Sequence, residues 1–143
     1  MATIMRKMNI ISRLEELYRT EQSSLNLQGI YHSYILAICN NPGMTQAFLS
    51  KHLCKNKSSV TRHLSFLEKE GFIIRKESSK DKRESLVYPT QKTLDVLPEI
   101  KEITLRWNSL LAEDISEEQL SVFHSLLDKM LNKSKEIVYK EVE

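Results

Sequence analysis

A chain of 143 residues with 41% hydrophobic and 28% charged positions is one ordinary globular domain, excluding intrinsic disorder and large enough to bury roughly two-thirds of its unfolded surface. Three glycines and three prolines are too few for a many-turned sandwich and favour long helices, and without a run of about 18 apolar residues no helix is expected to span a membrane. The net charge of +2 hides a strong asymmetry: residues 51–83 hold ten lysines and arginines against Glu68, Glu70, Glu77 and Asp81, a net of +6, while residues 84–143 carry −5.

In chain order, Ile4, Met8, Ile11, Leu14 and Leu17 or Tyr18 form a helical stripe over about 4–19, with Glu and Arg on the other face. This amphipathic start lacks the continuous apolar core of a signal peptide, so the expected compartment is the cytoplasm. After the polar interval TEQSSLNLQG, residues 28–39 are apolar over a wide arc (Ile30, Tyr31, Tyr34, Ile35, Ile38, Cys39) and should form the central, most buried helix. Asn40-Asn41-Pro42-Gly43 stops it. Thr45 is a good N-cap for a short helix, TQAFLSKHL, with Phe48, Leu49 and Leu53 expected inward. Cys54-Lys55-Asn56 is a tight connection. The next helix begins near Lys57 or Ser58, buries Val60, Leu64 and Leu67, and ends at Gly71. FIIRKE (72–77) and ESLVYP (84–89) read as two strands joined by the polar tip SSKDKR. A long helix over 90–113 follows, kinked or restarted at Pro98. Ser116-Glu-Glu-Gln119 is a capping box that opens a last helix with Leu120, Phe123, Leu127, Met130 and Leu131 on one face.

Two helices joined by a tight turn and followed by a basic-tipped hairpin are a winged helix-turn-helix. The expected fold class is therefore mainly α with a small β-hairpin wing, α+β, with helices flanking it at both ends. The chemistry fits a polyanion. Only the first turns of a helix entering a major groove about 12 Å wide reach base edges, and residues there should be short or hydrogen-bonding. Ser58, Ser59, Thr61, Arg62 and His63 meet that need, with Gln46 and Lys57 at the openings of the two helices and Lys80, Lys82 and Arg83 at the wing tip. His63 reads equally as a helix-surface histidine.

The run from Pro42 to Thr90 resembles the core of a MarR-family transcriptional regulator. Asp81-Lys82-Arg83 matches the family's Asp-x-Arg wing, and Leu67-Glu68-Lys69-Glu70-Gly71-Phe72-Ile73 matches its L-E-x-x-G-hydrophobic-I motif. Two departures stand out: Pro89-Thr90-Gln91-Lys92-Thr93 replaces the common Leu-Thr-x-x-Gly, and Cys54 occupies a turn position where many helix-turn-helix motifs have Gly. The resemblance implies a sequence-specific regulator of transcription, a repressor, that binds double-stranded DNA at a pseudo-palindromic operator as a homodimer. Within it, Asp81 orients Arg83. It also implies a dimerisation helix in 1–27, a DNA-binding domain in 28–90, and a linker plus second dimerisation helix in 91–143. Ile4, Met8, Ile11, Leu120, Phe123, Leu127 and Met130 would form the dimer interface. A small aromatic or amphipathic effector would sit among Tyr18, Tyr31, His32, Tyr34 and Trp107, residues that read alternatively as plain core.

Other chemistries find little footing. Motifs of hydrolases, zinc proteases and phosphate-cradling loops are missing, so no enzyme and no cofactor are expected. His32, His52, His63 and His124 form no i, i+4 pair, which argues against a metal. Cys39 and Cys54 lack a C-x-x-C spacing and read as reduced thiols, with redox sensing by Cys54 the sharper alternative. A winged helix serving as a protein-interaction module is the other, and it would not require the basic segment.

Overall fold

The computed structural model describes residues 3–139. Its described elements are α1 (Ile4–Gln22), α2 (Ile30–Asn40), β1 (Met44–Thr45), α3 (Gln46–His52), α4 (Lys57–Lys69), β2 (Ile73–Glu77), β3 (Ser85–Pro89), α5 (Gln91–Leu111) and α6 (Glu117–Tyr139). The expected class holds: helices with a small antiparallel sheet. That sheet has three strands in the order β1-β3-β2, one more than the sequence suggests. Met44 and Thr45 pair with Val87 and Leu86, a segment too short for alternation to reveal. The helix over Pro98 is continuous rather than restarted.

The chain divides into two compact units, Met1–Trp107 and Asn108–Glu143. In the first, α2 is the buried centre: Tyr34, Ile35, Ile38 and His32 are fully enclosed, together with Leu49, Val60, Leu64, Leu67, Ile73 and Val87. Each large apolar side chain buried this way contributes about 1.5–3 kcal/mol. The stripe Val60, Leu64 and Leu67 thus holds α4 against α2, as its spacing predicts. Phe48 is a correction. It is 47% exposed and stacks on His52, while Leu49 and Ser50 face inward. The cause is the turn after α3: Lys55 N–H donates to the Ser50 carbonyl, and the Ser50 hydroxyl donates back to the Lys55 carbonyl.

Arg19 also departs from the expected wet face of α1. It is 8% exposed, donates from Nε to Glu15 Oε1 at 2.9 Å and from Nη1 to Thr104 Oγ1 at 2.9 Å, and so ties α1 to α5. Beside it α1 and α2 nearly touch. A Cβ on Gly29 would run into the Glu16 carbonyl and Arg19 Cβ, so only glycine fits. In the second unit the capping box forms as expected, with Ser116 N–H bonded to Gln119 Oε1 and Gln119 N–H to Ser116 Oγ, both at 3.1 Å. None of the described residues of α6 is buried.

Candidate nucleic-acid interface

Asn56 caps α4, its Oδ1 accepting from the Ser59 N–H at 2.8 Å. The helix ends in a left-handed Gly71 (φ 80°), with Phe72 N–H returning to the Leu67 carbonyl at 2.8 Å and Gly71 N–H to Glu68 at 3.1 Å. Between these ends Ser58, Thr61, Arg62, Ser65 and Lys69 are exposed and Ser59 is half-buried. Much of the polarity on this face is already bonded within the protein. Gln46 donates to Thr61 Oγ1, Thr61 donates to the Lys57 carbonyl, and Ser65 donates to the Thr61 carbonyl. Arg75, from β2, donates to Ser65 Oγ at 3.1 Å and lies 3.5 Å from Glu68, bracing the wing against the helix. Neither Arg75 nor Ser65 stands out in the sequence; a lone Arg on a strand carries no signal until its neighbour across the fold is known.

The wing tip is a built turn. Ser78, 8% exposed, accepts from the N–H groups of Lys80 and Asp81, and its own N–H reaches the Glu84 carbonyl. Asp81 Oδ1 accepts from the backbone N–H of Arg83 at 2.9 Å, so what it holds is the main chain of Arg83. Lys80, Lys82 and Arg83 all point into solvent. Between the wing and the helix-turn-helix lies an open cleft of about 270 Å³ lined by Thr45, Gln46, Ala47, Lys57, Arg83, Glu84 and Ser85. Lys57 and Arg83 are the two cations of this cleft, against the single carboxylate of Glu84, and with the hydroxyls of Thr45 and Ser85 beside them they suit a phosphate oxygen.

His63 turns inward. Its Nδ1 is hydrogen-bonded to the Tyr34 hydroxyl at 2.8 Å, and its ring meets Tyr31 edge-on. Tyr31 in turn stacks on Phe66 at 4.5 Å. Burial, then Lys55 and Arg62, push the His63 pKa down, and burial pushes Tyr34 up to about 12. His63 therefore packs α4 onto α2. The five suggested pocket residues fall into separate neighbourhoods: Tyr31 and Tyr34 join this cluster, Tyr18 pairs with Trp107 at 5.3 Å, and His32 lies in the core near Arg19. Cys54 is exposed with φ 52°, and Cys39 is half-buried with its thiol pushed up by burial. Among the described residues no group of three or more His, Cys, Asp or Glu could hold a metal, and no helix is long and apolar enough to cross a membrane.

A capped helix-turn-helix backed by a basic, braced hairpin defines a winged helix protein. Residues 32–85 match the family model described as the MarR family. The chain is 24% identical over 131 residues to the HTH-type transcriptional regulator YybA of Bacillus subtilis, covering 91% of this chain and 87% of that one. It is 26% identical to the regulator BilQ of Clostridium symbiosum, over 72% and 71% of the two chains. Among solved structures, a MarR protein from Peptoclostridium difficile superposes with a TM-score of 0.89 at 29% identity, covering 99% of this chain and 93% of that one. A MarR family regulator from Listeria monocytogenes, complexed with 26mer DNA, gives 0.84 at 27%, covering 99% and 95%. The chain thus carries a MarR-family match over its winged helix, residues 32–85, and is similar over most of its length to transcriptional regulators.

Proposed function

We propose that the chain is a homodimeric repressor that reads a pseudo-palindromic DNA site, with α4 in the major groove and the wing on the flanking backbone. The observation that carries this reading is the cleft where Lys57 and Arg83 converge from the recognition helix and the wing. The net +6 over residues 51–83 and the DNA held by the similar Listeria protein support it. Lys57, Ser58, Ser59, Arg62, Lys80, Lys82 and Arg83 are the contacts in this reading. Gln46 and Thr61 add to them from an already bonded pair, and His63 positions the helix from behind.

Dimerisation is supported by apolar side chains that stay exposed among the described residues of each unit. Ile4, Ile11, Phe123 and Met130 are each more than 40% exposed, while Met8, Leu120 and Leu127 are only partly covered. A symmetric pair would set two recognition helices about one DNA turn apart, roughly 34–36 Å. In this reading a small aromatic effector that relieves repression would act at the Tyr18–Trp107 contact between α1 and α5.

A gel shift titrated with salt tests the core of the proposal. The logarithm of affinity should fall linearly with the logarithm of salt concentration, and Arg83→Ala should flatten that slope by about 1. Binding that ignores salt, or no duplex binding at all, refutes it in favour of a protein-interaction wing.

A further inference from the structure

The far end of α4 is held from outside the helix. Beyond the Gly71 turn, three successive carbonyls receive donors from the first turn of α5. Lys92 Nζ donates to the Glu70 oxygen at 2.7 Å, Thr90 Oγ1 to Gly71 at 2.6 Å, and Thr93 Oγ1 to Phe72 at 2.5 Å. The Thr90 N–H adds a bond to the Phe72 carbonyl at 3.1 Å. The helix's own closing turn already engages the carbonyls of Phe66, Leu67 and Glu68, so these contacts are additional to an ordinary helix end. Thr93 is fully buried, and the Lys92 ammonium sits 4.3 Å over the Phe72 ring. Its charge lies where a helix C-terminus attracts a cation. Thr93 also stands at the place where the resemblance noted in the sequence has Gly, a residue with no hydroxyl to offer.

We propose that Thr93, Thr90 and Lys92 are positioning residues that clamp the C-terminal end of the recognition helix to α5, so that α5 sets the pose in which α4 meets DNA. This rests on the reading of α4 as the recognition helix. A loose joint would let each α4 adjust to a misplaced half-site. A clamped joint transmits the spacing imposed by the rest of the chain.

The test uses the full chain and a duplex selected by the wild-type protein from a random-sequence pool. It is compared with derivatives carrying one or two extra base pairs between the half-sites. Thr93→Val removes the hydroxyl at nearly constant shape, Thr93→Ser keeps it, and Lys92→Met removes the exposed donor. Loss of one such bond should shift the balance between held and loosened poses by about fivefold. Lys92→Met and Thr93→Val should therefore bind the native spacing several-fold more weakly. They should also show a native-to-inserted affinity ratio several-fold smaller than wild type, with Thr93→Ser restoring both. A purely structural role would lower all affinities together, and an unchanged ratio overturns the clamp. Should Thr93→Val fail to fold, Lys92→Met, at an exposed position, decides alone. A wild-type protein that selects no duplex overturns the recognition-helix reading, and the clamp with it.

Discussion

Acidification should destabilise this protein in large part through one side chain, His32. The ring is fully buried, and neither nitrogen meets hydrogen-bond geometry with any group among the described residues. Burial first, and then the neighbouring Arg19 guanidinium, lower its pKa to about 4, against weaker opposing pulls from Glu99 and the Leu27 backbone. In the unfolded chain the ring titrates near its ordinary value of about 6.5. Above that pH both states are neutral and the ring leaves stability unchanged. Between about 6.5 and 4 the unfolded chain takes up a proton that the folded chain refuses, so stability falls as the pH falls. The full difference is worth about 3 kcal/mol, a large share of the 5–15 kcal/mol typical of a domain.

The assay is urea unfolding from pH 7 to pH 4 on wild type and on His32→Leu, which removes the titration at similar volume. Carboxylates and His63 titrate in both proteins and cancel in the difference. At pH 7 the variant should match or exceed wild type, since it replaces an unpartnered buried polar group. By pH 4 it should be more stable by an additional amount of about 3 kcal/mol. A difference that stays flat across the range refutes the reasoning. So does a His32 ring seen by NMR to titrate near 6.5.

Other expectations follow from single positions. Gly29→Ala would force α1 off α2 and should cost about 1–3 kcal/mol, read as a lower urea midpoint. Cys54 adopts a left-handed conformation that side chains resist, so Cys54→Gly should be more stable than Cys54→Ala by about 1 kcal/mol in thermal unfolding. Arg62→Ala, tested against a panel of single-base variants of the selected site, should relax preference at particular positions by about 1–3 kcal/mol. Equal loss on every sequence would make Arg62 a phosphate contact only.

Local chemistry was readable from sequence wherever a few neighbouring residues decide it. The Ser116–Gln119 box, the Thr45 cap, the Gly71 stop and the Val60–Leu64–Leu67 stripe depend on spacings of three or four residues, and the structure has all of them. Contacts made across the chain were not readable. Arg19 looks like surface until Thr104, 85 positions away, is found against it. His63 looks like a groove residue until Tyr34 turns it inward. Met44 and Thr45 acquire strand character only from β3. At the candidate site charge and motif picked out the residue types, whereas which of those side chains are already bonded within the protein, such as Gln46 and Thr61, required the fold.

The described part of α6, Glu117–Tyr139, has no buried residue of its own in the protomer. Most helical stability in proteins comes from packing an apolar face, so in the homodimer proposed above the persistence of this helix would depend on how much of its partner is in solution. Its folding is then a second-order process, and a melting temperature measured at one protein concentration describes that concentration only. Dilution should fray this helix while the core around α2 stays intact. In the cell, the same law would make the abundance of the regulator part of its structure.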